Sequence, residues 1–414
     1  MEYTETKTTS WSSRLSSSFG GVVFGIILFI VGTGLLWWNE GDFVKTRDAL
    51  HEAQGQAVEL NSVQQVDSAF NGKLIHATGF ADTNDVLRDP VFGIGGKGIA
   101  LKREVEFFQW TEQSKSEKRQ KLGGGEETVT TYSYKTDWVG APVKTESFHS
   151  PDARVLYVNT ALMNIKDFSV EAKNVHLGAY RLAPFQISAI GGKEPFTVNL
   201  DQSVREQITI AVLRAKPQLM PFATSNINRV PVNRLPQVVY EQGNTLYIGA
   251  SPAKPEVGDV RITFHMTPPA NISLIAKAKG DSFEPYVAAN GKTISVLTMG
   301  NVPMDEMFAS EHSSNKMITW LLRAVGTLLV ILGIKTIFAP LAVLASVIPL
   351  LGRIVDAGAG LVSALLGLAW SLIIMSIAWL RFRPAIGGIM LAVAALMVAM
   401  LYVKGKNNKS TPSA

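Results

Sequence analysis

A chain of 414 residues has room for a large domain besides membrane segments, and 47% hydrophobic against 18% charged residues is too apolar a makeup for an ordinary soluble enzyme. The formal net charge of +5 raises nucleic acid as a partner, but the basic residues are scattered or flank apolar runs and never form a stripe interleaved with aromatics, which argues against it. There is no Cys, so disulfides, thiolate catalysis and Cys-ligated metals are excluded, while the redox compartment stays unread.

In chain order, residues 1–18 are polar and rich in Ser and Thr, which predicts a disordered cytoplasmic tail. Residues 19–38 carry no charge and close on Trp37 and Trp38, as expected of a transmembrane helix ending at an interface. A cleaved signal peptide competes with that reading, but no small-residue cleavage pattern precedes Asn39. Gly21, Gly25 and Gly32 form a small-residue face that lets another helix approach closely.

Residues 39–316 form one large hydrophilic region, expected to be an extracytoplasmic α+β domain with a mainly antiparallel sheet, and two related lobes are considered. Period-2 alternation predicts strands at Glu104–Trp110, Thr128–Trp138, Asp259–Met266 and Asn271–Lys279, with a hairpin over Pro236–Ala250. Tyr132, Tyr134 and Trp138 share one strand face and are candidate interface anchors; the alternative is that they pack inside the sheet. Between the first two strands, Ser114–Glu127 reads as a mobile hairpin loop. Asp201 can cap a helix running to Lys216, Arg154–Met163 and Leu177–Ile190 are open between helix and strand, and Pro303–Glu311 is a short amphipathic helix.

Three further apolar runs, 317–339, 357–380 and 385–403, complete an expected set of four transmembrane helices. The last two could instead form a hairpin that does not fully cross. The Pro-interrupted stretch 340–356 is expected to connect helices in the interface, and 404–414 is a basic tail. Lys7, Arg14, Arg353, Lys404, Lys406 and Lys409 favour both termini inside and the Gly123 loop outside, although Arg381 and Arg383 then fall on the wrong side. Arg323 and Lys335 sit where they can snorkel; with Arg353 and Asp356 they are also candidate pore-facing charges.

The search for reactive chemistry yields no catalytic, cofactor-binding or metal-binding residue. Gly93–Gly98 lacks the spacing of a phosphate loop, and the six His are dispersed, with no pair at helical metal-ligand spacing.

Several short motifs in one order carry a resemblance: Asn39-Glu40-Gly41, Lys102-Arg103 through Gln109-Trp110, Tyr132-Ser133-Tyr134 through Trp138, Glu256 through Arg261, Lys279-Gly280-Asp281, and Phe382-Arg383-Pro384. Over residues 20–403 the chain resembles the transmembrane protein 43 (LUMA) family. The resemblance implies a four-helix membrane protein without established catalytic residues. Its animal members place the large domain in the ER lumen or perinuclear space and associate with themselves, emerin and lamins. The Gly-rich loop and the N-terminal tail depart from the animal pattern and imply a bacterial member. The expected function is a non-enzymatic, self-associating membrane scaffold whose partners are the lipid bilayer, itself and other membrane proteins. The alternative is a homo-oligomeric channel or pore subunit.

Overall fold

The computed structural model describes residues 2–220 and 230–385. The chain opens with strand β1 (Glu2–Thr9) and passes at Ser10 into helix α1 (Trp11–Gln56), where the Ser10 hydroxyl caps the first turn by accepting from Ser13 N. The tail expected to be disordered is therefore ordered. Its alternating Thr4, Thr6 and Thr8 suit a pleated strand, and a partner strand supplies the hydrogen bonds. The apolar run 19–38 is only the middle of α1, which continues unbroken into the hydrophilic region.

The strands that position the site are β2 (Leu74–Thr83), β3 (Ala100–Gln120), β4 (Glu126–Val139), β5 (Val239–Gln242), β6 (Thr245–Ile248), β7 (Val260–Thr267), β8 (Ala270–Lys279) and β9 (Val296–Met299). One sheet runs β1-β4-β3-β7-β6-β5; the other is built on β2, β8 and β9. Ile75, Leu101, Val105, Ile262, Phe264, Ile272 and Leu274, drawn from both sheets, are buried in a single core. Each sheet joins early to late strands, since β2 pairs with β8 and β3 with β7, so the two β-rich stretches considered as lobes from sequence share that core. Helix α2 (Gln202–Ala215) lays Ile208 and Val212 on it.

Helix α3 (Met304–Ala345) begins with the amphipathic segment expected at 303–311, and Met307 and Phe308 lie buried against Leu50, Ala53 and Ile275. It continues through Pro340, turns at residues 346–348 and passes into helix α4 (Pro349–Phe382). The stretch 340–356 thus consists of two long helix ends and a tight turn. Among the described residues, three helices are long and apolar enough to cross a membrane, within α1, α3 and α4. The expected fourth span, 385–403, lies outside the described residues except for Ala385, as does the tail 404–414.

The predicted β3 and β4 strands extend well beyond their expected ends. The segment expected as a loop over Ser114–Glu127 is mostly ladder, closed by a turn at residues 121–125 with Gly123 and Gly124 at φ +85° and +80°. Val129, Thr130 and Thr131 favour extended backbone, and Ser116 and Thr130 hydrogen-bond across the pair at 2.9 Å, so a charged sequence still forms a ribbon.

Candidate functional site

Where α1 leaves its apolar run, Asn39 and Glu40 are buried among helices. A carboxylate cannot be left there unpaired, and Glu40 is met by Arg323 of α3 in a bidentate pair, Nε to Oε1 at 2.6 Å and Nη2 to Oε2 at 2.8 Å. Trp379 of α4 donates its Nε1 to Oε2 at 2.6 Å, and Asn39 Nδ2 donates to Thr319 O at 3.2 Å. Gly41 at the next position lets the Phe382 ring pack against the backbone of α1: a Cβ there would stand 2.8 Å from Phe382 Cζ and displace the ring. The Asn39-Glu40-Gly41 and Phe382-Arg383 motifs are thus two sides of one knot that ties α1, α3 and α4. Arg323, expected to snorkel or to face a pore, is paired with Glu40 and stacked on Trp320.

The small-residue face of α1 is also occupied from within. A Cβ on Gly25 would stand 2.7 Å from Gly333 O and one on Gly32 2.9 Å from Gly326 O, so α1 and α3 meet backbone to backbone. That face is closed to a second copy.

The second feature is the ribbon. Its base is anchored in the core, where Arg103 pairs with the buried Asp89 at 2.5 Å, donates twice to Lys166 O and lies between the Phe92 and Phe168 rings. Asn159 then occupies the outer edge of β3, donating to Trp110 O and accepting from Trp110 N. Beyond Trp110, among the described residues, that edge of β3 has no backbone partner, and neither has the outer edge of β1. A three-stranded ribbon with two open edges therefore extends about 30 Å past its base, at about 3.3 Å per residue from Thr111 to Gln120.

Its tip reaches the far end of the bundle. Arg14 donates to Gly124 O at 2.5 Å and lies 3.6 Å from Glu126, Trp11 Nε1 donates to Val343 O, and Gly123 N donates to Val347 O. Lys335 and Asp356 line a cleft of about 330 Å³ with Gln120 and Glu126 at that junction, and the Arg353 side chain lies outside the described set. The Gly123 loop, expected across the membrane from residues 1–18, is in contact with Trp11 and Arg14. The Gly123 turn lies beside the N-terminus, and the main sheet lies at the opposite end of α1.

Tyr132 and Tyr134 are covered by their own chain and are not free anchors. Tyr132 stacks on His149 at 4.1 Å and Tyr134 packs on Phe148. Trp138 is half-buried between Phe108 and the Arg261 guanidinium. Burial pushes the Glu112 carboxyl up, but hydrogen bonds from Tyr134 Oη, His149 N and the His149 ring outweigh it and hold Glu112 below its ordinary value. Burial, then the bond to Glu112, raises the Tyr134 hydroxyl to about 12. Sequence spacing also missed His51 and His312, whose rings lie 4.7 Å apart across α1 and α3. Among the described residues no group of three His, Asp or Glu converges as a metal site.

An antiparallel-sheet domain continuous with three apolar helices, themselves tied together by an ion-paired knot, defines an integral membrane protein with a large non-membrane domain. The profile of the transmembrane protein 43 family matches residues 107–384, and the chain belongs to that family. It is 26% identical to transmembrane protein 43 of Rattus norvegicus over 95% of this chain and 92% of the relative. The Homo sapiens protein is also 26% identical, over 98% and 96%, and the Drosophila melanogaster homolog 26% identical, over 93% and 95%. No solved structure matches the chain.

Proposed function

We propose that this protein is a non-enzymatic, self-associating membrane scaffold, in which copies join through the open edges of the ribbon and present the large domain outside the cytoplasm. What supports the reading is the ribbon's course: its tip is fixed to Trp11 and Arg14, and it runs from there about 30 Å back toward the core, a length that α1 covers in about 20 residues, which brings charged and apolar surfaces to one height. The ribbon exposes Lys115, Glu117 and Arg119, while α1 beside it exposes Phe24, Ile27 and Ile30. Charges are costly in lipid and apolar helices are costly in water, so a lone copy in a bilayer satisfies only one of them. A ring with helices outward and ribbons inward satisfies both.

The strand directions permit such a ring. β1 and β3 are both antiparallel to β4 and therefore parallel to each other, so rotation about the membrane normal brings the β3 edge of one copy beside the β1 edge of the next. The β3 edge is net basic over Glu112–Gln120 and β1 is net acidic over Glu2–Thr9. Confinement to two dimensions raises the effective concentration of these edges. Lys7, Arg14, Lys118, Arg119 and Lys121 gather at the N-terminal end, which favours that end inside. The membrane is the inner membrane if the chain is bacterial and the ER or inner nuclear membrane if eukaryotic.

The polar outward face of the ribbon favours a second reading, a pore whose aqueous lumen the ribbons line. Both readings are tested with the Cys-free chain carrying Thr6→Cys and Glu117→Cys. These positions lie two strands apart in one copy, about 9.5 Å, beyond disulfide reach. Oxidation in membranes is expected to give a ladder of linked copies, and Thr4→Cys or Thr8→Cys in place of Thr6→Cys covers a shifted register. Monomer alone from all three pairs sinks the ring, and conductance of the purified ring in a planar bilayer separates pore from scaffold.

A further inference from the structure

At the domain end of the bundle, α1 and α3 enclose a cavity of about 480 Å³ lined by Phe43, Arg47, His51, His312 and Lys316, among others. Lys316 immediately precedes the apolar run of α3, and Phe43 follows that of α1 by little more than a helical turn, so the cavity lies at the depth of lipid headgroups. Below it α3 turns exposed Met317 and Trp320 outward, a surface fit for an acyl chain.

The polar lining is one-sided. Arg47 and Lys316 bring two cations to the cavity, and the guanidinium of Arg383 stacks 4.4 Å from the Phe43 ring that walls it. The nearby acids do not balance them. Glu40 is committed to Arg323 and Asp42 to Lys292, and Glu311 is not among the lining residues; Asp48 accepts from Arg47 Nε at 3.0 Å and Nη2 at 2.7 Å in a half-exposed, solvated pair, which leaves Lys316 as the cation of the lining without an acid of its own among these. In the lining, His312 Nε2 is buried without a hydrogen-bond partner and donates when the ring proton is on that nitrogen; Arg383, which does not itself line the cavity, has Nε and Nη2 buried without a partner. Buried donors in a positive, roomy site call for an acceptor of negative charge.

We propose that this cavity binds a phosphate group, that of an anionic phospholipid whose headgroup enters between α1 and α3, with Lys316 and Arg47 as charge partners and His312 as a hydrogen-bond partner. Free phosphate shares the chemistry, and the experiment separates the two sources. The full chain is reconstituted in phosphatidylcholine nanodiscs with or without phosphatidylglycerol, and the lipid retained after detergent extraction is counted by native mass spectrometry. Preferential retention of phosphatidylglycerol is expected, with affinity about tenfold lower in Arg47→Gln/Lys316→Gln, equivalent to about 1.4 kcal/mol, and unchanged in the exposed control Lys254→Gln. Lys316→Arg is expected to keep binding, which guards against a double variant that merely misfolds. Displacement by inorganic phosphate without any preference between the two lipids assigns the same site to a soluble phosphate. Equal retention by the wild type and the double variant, or no binding of phosphatidylglycerol or inorganic phosphate, overturns the proposal.

Discussion

The helix bundle and the distal ribbon meet at the ribbon tip yet are stabilised in opposite ways. In the bundle, α1 and α3 approach through Gly25, Gly32, Gly326 and Gly333, and the polar groups are buried and spent on one another in the Glu40–Arg323–Trp379 knot. In the ribbon, side chains are exposed, ion pairs such as Lys115–Glu117 are solvated, and backbone hydrogen bonds to β4 carry the structure. The difference teaches where a change of side chain matters: a bundle with no slack transmits every added atom, whereas a solvated ribbon absorbs most of them.

Arg323→Ala is the strongest way to test that contrast. It leaves Glu40 buried without its partner and is expected to cost about 3–5 kcal/mol, read as a lower unfolding midpoint in detergent. A much smaller loss would mean that the knot is hydrated and that the bundle is not closed. Next comes Gly25→Val, which drives a side chain into Gly333 O and is expected to cost about 1–3 kcal/mol by separating α1 from α3. Helix–helix cross-linking between these helices should fall in parallel; unchanged cross-linking would show that the close approach is dispensable.

Within the ribbon, only its partly buried corner is expected to show a pH response. Glu112 is held below its ordinary value of 4.5, so its contribution is fully present above that pH and is lost as pH falls through the lower folded value. The effect is on the order of 1 kcal/mol, and Glu112→Gln should flatten the acid limb of the unfolding curve while leaving other acid-sensitive groups in place. An unaltered acid limb would remove Glu112 from the account. Lys115→Ala should have the smallest effect, with no measurable shift in the unfolding midpoint, because the side chain is 83% exposed and its pair with Glu117 is solvated. A clear shift in midpoint would mean that this edge is already covered.

Much of the architecture was legible locally. The apolar runs 19–38, 317–339 and 357–380 fall within α1, α3 and α4, the alternation over 104–110 and 128–138 falls within β3 and β4, and that over 259–266 matches β7 but for Asp259. β1 was missed because composition marked a polar tail, although Thr4, Thr6 and Thr8 already alternated. Charge between Ser114 and Glu127 reads locally as a loop signal and shortens the expected ribbon, whereas cross-strand partners make such a sequence a stable ladder. The motifs around Glu40 and Phe382 were visible, but nothing in their spacing said that they touch.

What the sequence determined by itself is whatever repeats along the chain: a 20-residue apolar span, a period of two, a cap before a helix. Such signals come from each segment's own contact with lipid, water or backbone. Only the tertiary structure decided partners: Glu40 with Arg323 across 283 positions, His51 beside His312, Gly25 against Gly333, and Tyr132 under His149. Those choices depend on desolvation and close packing summed over segments far apart in the chain, and no local pattern contains that sum.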